Sequence, residues 1–474
     1  MKIKCGSILG LDNIGRKECC KMQQTHMLNK QDTFYEKLIS LVLPISIQTF
    51  MLALVSATDA MMLGFVNQTS LSSVSLAGQI QFILNLFVTG ISAGTGIMAA
   101  QYWGKRDRAS IEKVVPIALR MNMLFGSLFT LAALLFPHKL MQILTNEPEL
   151  IATGAMYVRA VAFSYILCAI SQVYLIVLKN TGHANISSRI SSSAVVINIV
   201  ANAILIFGLC GAPKLGVVGA AYATVLSRAI ELIWSMLEIK KLNDIKVHWT
   251  KMFAKVGQIT SDFWHYTMPV LGASLVWGIA FSLYSVIMGH MGSDAVAANS
   301  ITSIAKNMVS CLVRGVSGGA GILVGNLLGC GMLDEAKVYG RRLTHMAIAV
   351  GIGTGGLLMA ISPIIVRFAP MSETAAGYLQ TMLIFCGFNI MAQSVNTTVL
   401  DGIFCAGGDS KFDLVTNIKA MWCFSVPLGF LAAFWLKLPV MAVYCIVNLD
   451  EIVKLPAVYM HYKKYVWVKN ITRE

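Results

Sequence analysis

The chain contains one apolar block twice. Gly90-Ile-Ser-Ala-Gly94-Thr-Gly96-Ile-Met-Ala-Ala-Gln101-Tyr-Trp-Gly104 returns as Gly315-Val-Ser-Gly-Gly319-Ala-Gly321-Ile-Leu-Val-Gly325-Asn326-Leu-Leu-Gly329, at an offset of 225 residues. The same offset relates Pro44 to Pro269, Gly64 to Gly289 and Gly182 to Gly407. A duplication inside long apolar sequence restricts the chain to architectures in which two copies of one membrane-embedded unit pack together.

Of the 474 residues, 56% are hydrophobic and 13% charged, against about 25% charged in soluble globular chains. The mean hydropathy is +0.68. A water-soluble fold could not hide so many apolar side chains, so the surplus must face lipid. The apolar stretches are long and continuous, which favours spanning helices over the short alternating segments of a barrel. Twelve spans are predicted, near 38–64, 71–99, 114–137, 150–178, 190–210, 215–238, 264–289, 295–325, 343–368, 375–401, 413–436 and 438–460. The expected fold is an all-α membrane protein of twelve transmembrane helices in two pseudo-symmetric six-helix lobes.

Charge sets the topology. Alternate connections together carry 27 Lys and Arg residues and the opposite set carries four: Lys139, Lys214, Arg367 and Lys437. The positive-inside rule places the rich set, and with it both termini, in the cytoplasm. Six spans per half make the repeat parallel, with its pseudo-two-fold axis along the membrane normal. The net charge of +14 therefore reflects topology, and no nucleic-acid partner is expected. The expected organisation is a disordered cytoplasmic segment over 1–34, a first lobe over 35–240, a linker over 241–262, a second lobe over 263–462 and a cytoplasmic tail over 463–474. Residues 1–31 have no apolar region of the kind a secretory signal carries. The lysine-rich linker reads either as an amphipathic surface helix or as a solvated connection.

The glycine blocks contain GxxxG spacings such as Gly90/Gly94 and Gly325/Gly329, which let helix backbones approach closely in lipid. Gly351-Ile-Gly353-Thr-Gly-Gly356 fits a dinucleotide pattern by letters only, because no strand precedes it. There is no Walker A motif, no HExxH and no Ser/His/Asp arrangement, so an enzyme is not expected. No CxxC pair exists among the 11 Cys, and neither a cofactor nor a metal centre is expected.

Without a nucleotide-hydrolysing engine, transport would draw on an ion gradient, which requires an ionisable group inside the membrane. Asp59 follows an uncharged run from Leu38. A carboxylate there can exchange a proton or ligate a cation, or it can be solvated near the outer interface. Asn198 and Asn202 are one turn apart on the fifth span and share a face; with Thr224 they form either a polar site or a helix–helix contact. Lys306 and Arg314 lie within the eighth span and either line a cavity or snorkel to an interface. Arg159, Arg228 and Glu231 read as structural, and Asp409 reads as a turn residue.

These residues together resemble the multidrug and toxic compound extrusion (MATE) family. The resemblance covers residues 35–460 and rests on an ordered series: Pro44 with Asp59, the block ending at Gly104, Asn198-Ile-Val-Ala-Asn202, Leu215-Gly-Val-Val-Gly-Ala-Ala-Tyr-Ala-Thr224, and the echoes at Pro269, Gly315–Gly329 and Cys405-Ala-Gly-Gly-Asp409. It implies twelve helices in two lobes that open alternately, expelling organic and often cationic compounds in exchange for H⁺ or Na⁺. It also implies a monomeric, multi-pass protein of the plasma membrane whose partners are small-molecule substrates and the bilayer. In the branch named for a DNA-damage-inducible protein, residues matching Asp59, Asn198 and Thr224 couple ion to substrate, and any Na⁺ would sit at Asp59. Asn202 stands where that family often has a second aspartate, so coupling falls more heavily on Asp59. The norfloxacin-exporter branch uses a glutamate and an aspartate near positions held here by Gly278 and Ser394. A lipid-linked oligosaccharide flippase, favoured by Lys306 and Arg314, and a non-transporting multi-span receptor are the alternatives.

Overall fold

The computed structural model describes residues 32–247, 257–369 and 371–472. The first half comprises α1 (Asp32–Gly64), α2 (Gln68–Gly104), α3 (Arg108–Leu135), the short α4 (Pro137–Leu144), α5 (Pro148–Asn180), α6 (Ala184–Phe207) and α7 (Val217–Leu242). The second half comprises α8 (Gln258–Gly289), α9 (Ser293–Gly329), α10 (Leu333–Phe368), α11 (Glu373–Phe404) and α12 (Ser410–Trp435). It ends with α13 (Val440–Val447) and α14 (Asp450–Tyr462). Among the described residues, eleven helices are long and apolar enough to cross a membrane. The twelfth crossing is the pair α13–α14, interrupted at Asn448 and Leu449. Most of residues 1–34 and the centre of the 241–262 linker, including His248, lie outside the described residues.

The helices outrun the apolar windows that announce them. The 37 residues of α9 span roughly 55 Å at 1.5 Å per residue, against a hydrocarbon core of about 30 Å. Hydropathy ends at the headgroups, whereas the backbone ladder continues until a cap or turn stops it. Asn67 Oδ1 accepts from the Ser70 amide at 2.6 Å to start α2, and Asp107 Oδ1 accepts from the Ser110 amide at 3.1 Å to start α3. Past α2 the chain turns through Arg106 at φ 61°, and past α9 through its repeat equivalent Gly331 at φ 78°.

The duplication reappears as reciprocal packing between the halves. Gly90 of α2 abuts Leu271 of α8, and its counterpart Gly315 of α9 abuts Ser46 of α1. Gly94 meets Thr267 while Gly319 meets Val42; Gly104 meets the Asn326 carbonyl while Gly329 meets that of Gln101. Each contact maps onto its partner by the 225-residue offset. Residue i of one copy thus touches j of the other and j touches i, the signature of a two-fold relation. No Cβ fits at Gly104 or Gly329 without backbone movement, so glycine is what allows the two inner helix ends to meet.

Residues 463–472, expected as a tail, fold back across this junction. Trp467 is fully buried against Tyr462, Gly340 and Gly407. The buried Gln101 joins the pieces. Its Nε2 donates to the Ala406 carbonyl at 2.6 Å and to that of Lys469 at 3.2 Å, and its Oε1 accepts from the Ile471 amide at 2.8 Å. Gln101→Ala would strand a buried carbonyl and an amide, at about 1–3 kcal/mol per unsatisfied group. A lowered unfolding midpoint in detergent is the expected result, with Gly353→Ala, which meets nothing within 4 Å, unchanged.

α11 and α12 carry wide π-helical turns at Thr398–Phe404, Ile418–Ser425 and Leu431–Trp435. Such turns free backbone groups and re-aim side chains, and they recur near functional sites.

Candidate functional site

The first-half candidates converge. Pro44 cannot donate in the α1 ladder, and its own carbonyl accepts from the Ser188 hydroxyl at 2.7 Å. Gln48 Nε2 donates to Ser191 Oγ at 2.8 Å. These bonds lock α1 to α6 and set the register between them. Four helical turns further along α1, Asp59 is half-buried. Asn202 Nδ2 donates to Asp59 Oδ1 at 2.6 Å and to Asn198 Oδ1 at 3.1 Å. Asn198 Nδ2 in turn lies 3.5 Å from both Thr224 Oγ1 and Ser227 Oγ on α7.

The arrangement has a direction. Asp59 accepts, as an ionised carboxylate must, and the amides relay donors toward it. Asn202 Oδ1 is buried and has no hydrogen-bond partner among the described residues. If Asp59 takes up a proton, it becomes a donor, and that unused oxygen is the acceptor nearest in the chain after a flip of the amide. If a cation arrives instead, Asp59 and the Asn202 and Asn198 oxygens are the hard ligands on hand. Asn202 can serve either role but cannot titrate.

Arg228 and Glu231 are closer to this cluster than their sequence positions suggested. Glu231 is 1% exposed, its Oε2 lies 2.8 Å from Arg228 Nη1, and it accepts from Ser171 Oγ at 3.1 Å. The pair sits on α7 just beyond Thr224, with the guanidinium in electrostatic reach of Asp59. Breaking a buried pair by removing one partner costs about 3–5 kcal/mol. Glu231→Gln is therefore expected to lower folded yield and unfolding temperature more than a substitution at Asn198.

Lys306 and Arg314 part company although both lie on α9. Lys306 Nζ donates to Asn389 Oδ1 at 3.0 Å, and Asn389 Nδ2 donates to the Asn448 carbonyl at 2.6 Å, so the lysine braces the break between α13 and α14. Arg314 instead lines a cavity of about 310 Å³ between the halves, together with Lys179 of α5 and Asp401 of α11. Lys306 is not among its lining residues.

Sequence reasoning missed one charged network entirely. Lys454 is 3% exposed, with Asp450 Oδ2 at 3.5 Å and Glu451 Oε1 at 3.4 Å. Asn396 Nδ2 donates to Glu451 Oε2 at 2.8 Å. On the neighbouring α12, Asn417 Nδ2 donates to Asp413 Oδ1 at 2.9 Å. The only signal was acids three and four residues before a lysine, a pattern that ordinarily marks a solvated helix face. Among the described residues no group of three or more His, Cys, Asp or Glu is placed to hold a metal ion.

Comparison with known proteins agrees with this architecture. The MatE family model matches residues 44–204 and 269–431, one segment in each half. The uncharacterized transporter YisQ of Bacillus subtilis is 21% identical over 91% of this chain and 95% of its own length. The probable multidrug resistance protein NorM of Agrobacterium fabrum is 25% identical over 79% of this chain and 84% of its own length. A solved structure of a mutant of the Vibrio cholerae MATE transporter VcmN superposes with a TM-score of 0.84 at 15% identity, covering 93% of this chain and 98% of that one.

Proposed function

The chain belongs to the MatE family of membrane transporters, and from that premise we propose that it is a secondary antiporter. It exports small organic compounds, many of them cationic, in exchange for H⁺ or Na⁺ by alternating access. The observation that carries the reading is Asp59 held by Asn202, with a buried amide oxygen unused beside it. Relatives named as multidrug resistance proteins support export as the direction.

In this reading the halves, 35–240 and 263–462, rock about the glycine seam, tied by the linker at 241–262. The ion enters from outside and neutralises Asp59. Asn202 then reverses its hydrogen bond, and the contact of α1 with α6 changes. Substrate and ion favour opposite states, so each weakens the other's binding by the same factor. The coupling residues are Asp59, Asn198, Asn202 and Thr224. The protein is placed in the plasma membrane as a monomer, with both termini cytoplasmic and no cofactor. A lipid-linked oligosaccharide flippase has less support, because Lys306 is tied to Asn389 and only Arg314 of that pair faces the cavity.

The test uses purified protein in liposomes loaded with a fluorescent cationic dye, with H⁺ and Na⁺ gradients imposed separately. Dye movement against its gradient is expected under one of them, ceasing when that gradient is collapsed. Equal leak under both gradients, at the rate of protein-free vesicles, would overturn the reading.

A further inference from the structure

Where α10 meets the returning C-terminal segment there is an open cleft of about 460 Å³, lined by Lys337, Arg341, Arg342 and His345 of α10 and by Tyr465. Its fixed charge is one-sided, three cations against the single carboxylate of Asp334. That carboxylate is already engaged, with Asp334 Oδ1 2.9 Å from Lys337 Nζ. Arg341 and Arg342 form no hydrogen bond or salt bridge among the described residues. Arg342 is held by packing instead, its guanidinium carbon 5.5 Å from the ring centroid of the buried Phe34. Such a contact positions the side chain and leaves its N–H donors free to meet a ligand. The opposite wall holds a strained residue. Tyr465 sits at φ 53°, a left-handed backbone that side-chain-bearing residues rarely adopt. Its ring lies 5.9 Å from Lys337 Nζ and 6.2 Å from the ring of Trp467, which is itself buried against Gly340.

The place of the cleft in the membrane narrows the ligand. Lys337, Arg341 and Arg342 stand just before the apolar stretch that begins near residue 343, at headgroup depth. Residues 338, 341, 342, 345, 349 and 352 recur at helical spacing and share one face. Past His345 that side of α10 is bare and apolar, with Ile348, Ala349 and Ile352 exposed. From Arg341 to Ile352 the helix rises about 16 Å, close to half of a hydrocarbon core of about 30 Å, which is the acyl depth of one leaflet. A cationic cleft continued by an apolar strip matches a molecule with an anionic head and acyl tails. A free anion would leave the strip without a partner.

We propose that this cleft binds the phosphate headgroup of an anionic phospholipid, whose acyl chains lie along α10. Arg341 and Arg342 take the phosphate oxygens, for which a guanidinium offers paired donors. Basic pockets of this kind beside transmembrane helices suit anionic headgroups and reject zwitterionic ones, whose choline or ethanolamine cation meets like charge. The bound lipid bridges α10 to the returning segment. That segment is fixed in turn by Gln101, which holds the Lys469 carbonyl and the Ile471 amide, so the headgroup braces the same junction from its outer side. The site is remote from Asp59 and from the cavity between the halves, and the inference does not depend on the antiport reading.

The test is a displacement assay on the full chain in dodecyl maltoside micelles. A phosphatidylglycerol labelled on one acyl chain is bound and then displaced by dioleoyl phosphatidylglycerol, by dioleoyl phosphatidylcholine or by inorganic phosphate. Phosphatidylglycerol is expected to displace the probe at a concentration at least about tenfold lower than phosphatidylcholine, as for charge-assisted contacts made to one headgroup only. Inorganic phosphate should displace it far less well than either lipid. The double variant Arg341→Gln, Arg342→Gln should erase the preference between the lipids. Lys463→Gln with Lys464→Gln removes the same charge from two exposed lysines outside the cleft, and it should keep the preference. Equal displacement by the two lipids, or displacement by phosphate as effective as by phosphatidylglycerol, overturns the proposal. Both are read on the parent chain and need no variant to fold. A preference that survives the arginine substitutions, or that the lysine substitutions remove as fully, overturns it as well.

Discussion

Asp59→Asn is expected to cut ion-driven efflux by about 5–150-fold while leaving the fold intact. Asparagine is nearly isosteric, and its amide oxygen can still accept from Asn202 Nδ2, now 2.6 Å from the carboxylate. Packing of α1 on α6 is secured further along by Ser188 on the Pro44 carbonyl and Gln48 on Ser191, so the helix does not depend on the charge for its position. What disappears is the group whose charge changes when an ion binds. Linked sites of this kind couple by about 1–3 kcal/mol, or 5–150-fold, and efflux should fall by about that factor. Substrate binding to the variant should persist and lose its sensitivity to the coupling ion. Asn202 cannot compensate, since an amide does not titrate, and Glu231 is committed to Arg228 and Ser171. Efflux from the variant at the parent rate, with unchanged ion dependence, would remove Asp59 from the mechanism.

Gly329→Leu is expected to open the seam at the end of the bundle where the termini lie. Any Cβ there collides with the Gln101 carbonyl, as one at Gly104 would with that of Asn326. The obstacle is backbone on a long rigid helix, so α2 and α9 must separate rather than a side chain swing aside. Overpacking of this kind costs about 1–3 kcal/mol, and because it burdens one arrangement of the halves only, it moves their equilibrium by about 5–150-fold. In a background lacking reactive cysteines, Ser317→Cys in the cavity wall should then react with a membrane-impermeant thiol reagent at least about tenfold faster from the terminal side. Net efflux should drop in step, since a carrier held open to one side completes few cycles. Gly353→Leu serves as the control, because open space surrounds that glycine. If Gly329→Leu labels and transports as the parent does, the seam is not a moving contact.

Read from residues alone, the architecture was unusually accessible. Lipid has no water to satisfy a backbone, so length and apolarity nearly dictate helices, and the 225-residue repeat dictates that they come as two matching sets. The last crossing was the exception. Its apolar window spans 438–460, yet the chain breaks at Asn448 and Leu449, where Asn389 captures the Asn448 carbonyl. Hydropathy averages over such a break because it does not register which carbonyls have lost their helical donors.

The coupling candidates were partly legible for the same reason. Asp59 stands out as a lone acid in apolar sequence, and the four-residue spacing of Asn198 and Asn202 puts them on one face. That α6 turns this face toward Asp59 was open until the bonds between α1 and α6 were seen. Arg228 and Glu231 read as structural charges near span ends and Lys454 was passed over, because sequence position does not say which face of a helix meets a neighbour. The same holds for Lys306 and Arg314, eight residues apart on α9: one braces a broken helix and the other faces the cavity. Composition, repeat and spacing by themselves determined the class of fold and the pairing of the halves, since each follows from the local demands of a chain in lipid. Which charges pair and which stand unpaired was decided only by tertiary structure, because electrostatic partnership depends on distances between helices far apart in the chain.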